Sequence, residues 1–517
     1  LRARLEDTVG VARIVVEGDV VFGSELLPAF YASRDFSPVW VDANAPRPIL
    51  EDLLQEVRRA EDHGLRPTDY HLRLLDRKLG EQARAGGSAS RLVEIELLAT
   101  DAFLVYASHL LAGHLNPETS TVGWFVARPE ADLVALLRDA IESRDVKRAF
   151  ARVTPADAAY GRLKNALRQY RSIAQRGGWS MVPQGPTLRE GARGERVLAL
   201  KHRLAATDDR FRDLPNDEFD AEVTVAVERF QRAHGLDADG IAGPATLRAL
   251  NIQVQQRIEQ LRINLERWRW LPVNLGSRYV VVNIAAFRLY VVESEQVVMT
   301  MRAIVGRPYR NTPVMSDTIS YLVFSPYWHV PQSIATRDIL PRVQRNPEYL
   351  AAEGFQVFRG WSSTVPIDPA TIPWPTVSRS NFPYRLRQDP GPKNALGGVK
   401  FMFPNRFSVY LHDTPARELF SETSRSFSAG CVRVERPTDL ALYLLRDSGT
   451  WNGSSVEAAM KQHRERTVRL SSPVAVHLLY WTAWAEDDGT IQFRDDVYNR
   501  DGPVRRALNQ APPAAGS

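Results

Sequence analysis

Cys431 is the only cysteine among 517 residues, and it stands in Ser428-Ala429-Gly430-Cys431-Val432-Arg433. His412 lies nineteen positions upstream, in Tyr410-Leu411-His412-Asp413-Thr414. A lone thiol cannot staple the chain to itself. Gly430 lets the backbone turn tightly before the sulfur, which exposes the thiol and leaves nearby amides free to face an oxyanion. A free thiol has a pKa of about 8.5 and is mostly protonated at neutral pH, so a nucleophilic cysteine needs a neighbouring imidazole to take its proton. His412 closes the apolar alternation Phe407, Val409, Leu411 and is the histidine placed to do so from the preceding segment. The bland alternative is a small buried hydrophobe, which fits poorly with Ser428, Gly430 and Arg433 as flanks. Asp413 is not read as a triad carboxylate, because adjacent strand residues point to opposite faces.

The elements that must position this pair change character along the chain. Residues 1–185 read as a helical scaffold: Ser24 caps a short helix through Tyr31, and Leu50, Leu53, Leu54 and Val57 recur at helical spacing. Arg91–Leu111, Ala131–Ile141 and Asp157–Gln175 continue the pattern. Residues 186–251 form a compact three-helix unit, with Val197, Leu200 and Leu204 on one stripe and Val223, Val227 and Phe230 on the next. Gly235 stops the second helix and Pro244 opens the third. Residues 252–277 hold a connecting helix with Ile258, Leu261 and Leu265 on one face, ended by Trp268 and Trp270. From Arg278 the period becomes that of an antiparallel meander, and residues 278–510 are expected to form the domain that carries Cys431 and His412. Between about 332 and 388 the alternation lapses into Pro-rich sequence, with Trp361, Trp374 and Phe382 able to pack an insertion. The overall class is α+β and multidomain.

Composition narrows the function. The balance of 66 Lys and Arg against 61 Asp and Glu gives +5 with no long basic run, which is poor support for nucleic-acid binding. Ten histidines are scattered without His-Glu-x-x-His spacing, so no metal and no cofactor are expected. No stretch is read as reaching the ~18 apolar residues of a spanning helix; Val474–Ala485 comes nearest. The start at Leu1, without a signal core, reads as a processed or truncated chain, and a single cysteine suits an oxidising compartment. The tail Ala511–Ser517 reads as disordered.

His-Asp-Thr at 412–414, Leu419-Phe420, Arg425, and Ser-x-Gly-Cys-Val-Arg-Val at 428–434 resemble the signature of the L,D-transpeptidases with a YkuD-type catalytic domain. Pro326-Tyr327-Trp328-His329-Val330-Pro331, Arg345-Asn346-Pro347-Glu348-Tyr349, Gln388 to Gly397 and Lys400-Phe401 extend the likeness to the large, three-domain members of Gram-negative bacteria. Phe-Gln-x-x-x-Gly-Leu with Asp-Gly-x-x-Gly-Pro-x-Thr resembles the peptidoglycan-binding domain attached to cell-wall enzymes. Ala429 departs from the His that many relatives have before the glycine.

The resemblance implies a mostly β catalytic domain with an inserted capping lobe over the active site, a periplasmic location, peptidoglycan stem peptides as donor and acceptor, other cell-wall enzymes as partners, and carbapenems as covalent inhibitors; the long Pro-rich insertion is expected to move. It implies that His412, oriented by a backbone carbonyl near Asp413, deprotonates Cys431, and that amides around Gly430 hold the oxyanion. Trp328 and Tyr410 would line the cleft, Ser428 would contact substrate, and Arg433 would meet a stem carboxylate or brace the Cys loop. The product would be a cross-link between third residues, or a shortened stem if water attacks. Two rival readings are an endopeptidase whose base follows the cysteine, with His463 or His477 in that part, and a binding scaffold without catalysis. His477 lies in the apolar run Val474–Tyr480, where a hydrogen-bonded core histidine is expected.

Overall fold

The computed structural model describes residues 1–6, 14–23, 26–85, 88–118, 123–208 and 216–512; Ser24 and the tail from 513 onward, on which two expectations fall, lie outside them. The chain folds into two compact units, Leu275–Tyr480 and Leu1–Asn274 with Trp481–Ser517.

The frame of the Leu275–Tyr480 unit is a ring of strands: β1 (Arg278–Asn283), β2 (Arg288–Glu293), β3 (Gln296–Gly306), β4 (Val314–Phe324), β5 (Val399–Met402), β6 (Leu411–His412), β7 (Val432–Val434) and β8 (Arg466–Leu479). Neighbours run β5-β6-β7-β3-β2-β1-β8-β4, and β5 also pairs β4, which closes the ring. The antiparallel meander expected from Arg278 is β1 to β3. β6 and β7 pair in parallel, Leu411 against Val432 and His412 against Arg433, so the chain between them crosses over through a short helical turn at Arg417–Ser421.

Register sorts side chains in this part of the ring. Leu322, Phe401, Leu411 and Val432 form one cross-strand row, and all four are fully buried. The adjacent row is Lys400, His412 and Arg433. Successive strand residues face opposite sides, so the apolar row packs the interior of the ring and the polar row stands on its other face.

A lobe is inserted between β4 and β5. Its antiparallel sheet joins Trp328–His329, Tyr384–Gln388 and Phe355–Arg359, and its own core contains Val330, Ile339, Leu340, Leu350, Val357, Trp374, Phe382 and Leu386. Trp361 is 71% exposed and takes no part in that core, contrary to its expected packing role.

The other unit holds two hydrophobic cores, one drawn from Leu5 through Val153 and one from Val182 through Leu250. Val197, Leu200, Leu204, Val223, Val227 and Phe230, the stripes read from sequence, all lie in the second. The first is built around helix Ala89–Ala112, which corrects the reading of apolar stretches: an 18-residue window of it has mean hydropathy 1.4, long and apolar enough to cross a membrane, but 89% of that window is buried inside the protein. It is a core helix.

Helix Val254–Arg269 also exceeds its reading. Beyond Ile258, Leu261 and Leu265 it buries Asn264, Glu266, Arg267 and Arg269 completely. Asn264 donates to Thr482 Oγ1 and Arg267 pairs with Asp501 at 2.7 Å. These polar ties hold the segment after Tyr480 to the helix. The strands Ala483–Ala485 and Ile491–Phe493, expected to complete the Cys431 domain, instead pair with each other and group with the N-terminal residues.

Candidate active site

The cysteine turn is built by hydroxyl groups. Gly430 has φ +123°, a conformation that L side chains rarely adopt. Ser428 Oγ accepts the Gly430 amide at 3.1 Å and donates to the Cys431 carbonyl at 2.5 Å. Thr312 Oγ1 donates to the Gly430 carbonyl at 2.8 Å and accepts the Gly306 amide at 2.9 Å. Gly306 is required by contact: a Cβ there would lie 2.2 Å from the Arg310 carbonyl oxygen. Both polar groups of the Gly430 peptide are thus engaged, which corrects its expected part as an oxyanion donor. Gly430 shapes the turn, and the Cys431 amide has no acceptor among the described residues.

The thiol sits in a second loop. Cys431 Sγ approaches the Ser408 carbonyl at 3.9 Å, and Ser408 has φ +54°. Asn405 orders that loop: its Nδ2 donates to the Phe403 and Val409 carbonyls, and its Oδ1 accepts the Phe407 amide at 3.0 Å. Tyr410 contributes its carbonyl to the Val432 amide at 3.1 Å, and its ring lies 5.6 Å from that of His412. Burial lifts the Cys431 thiol to about 11 against hydrogen bonds from Tyr410 and the charge of Arg433. The residue is only partly buried, so the sulfur combines a protonated resting state with access to solvent.

His412 is fixed by its own strand end. Its Nδ1 lies 2.5 Å from the Asp413 carbonyl oxygen. A carbonyl only accepts, so Nδ1 carries the proton and Nε2 keeps its lone pair. Burial, then the charges of Arg433 and Lys400, push the imidazole down to about 3, so it is neutral at physiological pH. The Asp413 carboxylate points elsewhere, accepting the Gly398 amide at 2.8 Å and meeting Arg417 at 3.2 Å. The paired strands thus carry a neutral imidazole with an open Nε2 and a protonated thiol, the two groups that base-assisted nucleophilic chemistry requires.

The remaining expected site residues divide. Arg433 stands beside His412 in the ladder, its Nε buried and unpartnered, and burial followed by Arg307 lowers its pKa. No contact braces the Cys loop through its side chain among the described residues. Trp328 is half-buried, its ring 6.0 Å from that of Phe355 and packed against the lobe's core. His477 has both ring nitrogens engaged, with Ser316 Oγ at 2.7 Å and the Leu275 carbonyl at 3.1 Å, and His463 faces the Pro390 carbonyl. Neither contacts Cys431 among the described residues. Sequence reasoning gave no role to Thr312, Asn405 or Lys400, the last quoted only as part of the likeness. The first two stood in turn-forming text, Asn311-Thr312-Pro313 and Pro404-Asn405-Arg406, which signals a turn but not which backbone groups the side chain will meet. Among the described residues no three His, Cys, Asp or Glu side chains converge as a metal site.

Three family models match: a scaffold domain over residues 25–167, a "Putative peptidoglycan binding domain" over 193–250, and an L,D-transpeptidase catalytic domain over 277–457. The chain is 34% identical over 249 residues to a "Putative L,D-transpeptidase" of Haemophilus influenzae, a match covering 48% of this chain and 49% of that protein. It thus spans about half the length of that relative. It is 49% identical over 61 residues, 12% of this chain and 24% of the relative, to the zinc D-Ala-D-Ala carboxypeptidase of Streptomyces albus G. The crystal structure of the L,D-transpeptidase from Xylanimonas cellulosilytica aligns at 18% identity over 57% of this chain and 99% of that one, with a TM-score of 0.19, too low to carry argument. Cys431 and His412 both fall inside the catalytic-domain match, and the chain thus matches, in order, a scaffold domain, a peptidoglycan-binding domain and an L,D-transpeptidase catalytic domain.

Proposed function

We propose that the protein is a peptidoglycan L,D-transpeptidase acting outside the cytoplasm, in the periplasm of a Gram-negative cell. The observation that carries the reading is the His412 tautomer: with Nδ1–H committed to the Asp413 carbonyl, Nε2 is left as an acceptor on the strand that pairs directly with the Cys431 segment. His412 Nε2 takes the thiol proton while Sγ attacks the carbonyl of the third stem residue, diaminopimelate, in a tetrapeptide donor. The Cys431 amide faces the developing oxyanion, a contribution of about 3 kcal/mol for one such donor. The imidazolium returns its proton to the leaving nitrogen as the C–N bond breaks and D-alanine departs. A side-chain amine of diaminopimelate on a second stem then attacks the thioester, the C–S bond breaks, and the thiol is restored. The product is a cross-link between third residues.

The domain matched as peptidoglycan-binding supports a polymeric wall substrate. Beta-lactams of the carbapenem class would acylate the same sulfur, and other wall enzymes would work on the same strands. The test is intact mass of wild type and Cys431→Ala after incubation with disaccharide-tetrapeptide, with mass analysis of the released muropeptides. The expected result is a transient adduct on wild type alone and dimers joined between third residues. Tripeptide without dimers would replace this reading with a carboxypeptidase, and no adduct would remove it.

A further inference from the structure

The strand register sets a cation on each side of the candidate base. Lys400 is the ladder partner of His412 on β5 and Arg433 its partner on β7. Cross-strand partners point to the same face at the strand spacing of about 4.8 Å, so the two cations straddle the imidazole with Cβ atoms roughly 10 Å apart. The row ends in apolar residues, Val323 beyond Lys400 and Ile304 beyond Arg433.

Neither cation has an acid partner within ion-pair distance among the described residues. The carboxylate whose charge reaches Lys400, Glu465, accepts the Tyr327 amide at 2.9 Å. On the other side the charges that reach Arg433 are those of Arg307, Cys431 and Glu418. Arg307, whose amide binds the Ser428 carbonyl at 3.0 Å, adds a further cation to that side. Both Lys400 and Arg433 are half-buried. Half-buried cations without counterions cost solvation that a bound anion recovers with charge-assisted hydrogen bonds.

We propose that Lys400 and Arg433 form a carboxylate-binding row across His412, which seats free carboxylates of the donor peptide stem on either side of the reactive pair. Lys400 is the new element: it acts as a substrate-positioning cation on the side away from the cysteine turn. The assignment of the anion to a peptide stem rests on the transpeptidase reading; the anion site itself does not.

Alkylation of Cys431 by iodoacetate and by its neutral isostere iodoacetamide separates the two. The ratio of the two rate constants in wild type is expected to exceed that of a small free thiol in the same buffer. Lys400→Gln and Arg433→Gln each lower it, by up to about tenfold for loss of one charged hydrogen bond. Lys400→Arg retains it, and added salt erodes it. With tetrapeptide donor, Lys400→Gln lowers kcat/KM, chiefly through KM, and the loss disappears when the donor carboxylates are carboxamides. A Lys400→Gln protein that unfolds like wild type yet keeps the wild-type alkylation ratio overturns the proposal. A ratio that depends on Lys400 in a protein that turns over no stem peptide supports the anion site and removes the transpeptidase reading instead.

Discussion

Two sets of buried charge in this molecule obey opposite rules. In helix Val254–Arg269, Glu266 and Arg269 are fully buried and pair at 2.6 Å. Arg269 also donates to the His63 carbonyl at 2.8 Å and to the Tyr160 hydroxyl at 3.1 Å, and Glu266 accepts the Leu115 amide at 2.8 Å. In the strand ring, Lys400 and Arg433 flank His412 without counterions among the described residues. The first set has its charges answered within the fold, Arg269 Nε alone being left over, while the second keeps its charges for something that arrives later. Satisfaction, more than burial, separates a structural charge from one held in reserve.

The largest expected effect tests the functional side. Cys431→Ala abolishes adduct formation and turnover, and His412→Gln lowers turnover by about 10²–10⁴, while thermal unfolding of both stays near that of wild type. A His412→Gln protein that turns over normally would remove the base from the site.

On the structural side, Glu266→Ala strands a fully buried guanidinium, which costs about 3–5 kcal/mol. The measurement is denaturant or thermal unfolding, with an expected fall of several degrees or more and unchanged kcat for the molecules that remain folded. Lys400→Gln gives the opposite profile, with unfolding at or above the wild-type midpoint. Equal destabilisation by Glu266→Ala and Lys400→Gln would break the comparison.

Thr312→Val removes the hydroxyl that serves both the Gly430 carbonyl and the Gly306 amide. Leaving buried polar groups unmet costs about 1–3 kcal/mol each, and the loosened turn is expected to lower kcat more than KM. Thr312→Ser retains most activity.

The smallest effect is a shape. His412 is pushed down to about 3, so it is neutral above that pH; Cys431 is lifted to about 11, so it is a thiol below that pH. Thiolate therefore grows about tenfold per pH unit up to the thiol pKa, and alkylation by iodoacetamide should climb from pH 6 to pH 9 without levelling. A plateau near neutrality would show a resident imidazolium–thiolate pair in place of the neutral one.

Much of this was legible in residue order because it depends on near neighbours. The apolar stripes at 197–204 and 223–230 follow from helical spacing, and Gly430 from the backbone its turn requires. The direction of the Asp413 carboxylate, away from His412, follows from strand alternation. Trp361 and the chain beyond Tyr480 went elsewhere than read, since an aromatic residue says that something will be packed and not against what.

The sequence by itself determined which residues carry reactive groups and which local turns and periodic faces present them, because φ preferences and side-chain periods act over a few residues. Only the tertiary structure decided which groups meet. The cations that flank His412, the hydroxyl that clamps Gly430 and the Tyr160 hydroxyl and His63 carbonyl that meet Arg269 are chosen by strand register and close packing, and these depend on every segment of the fold at once.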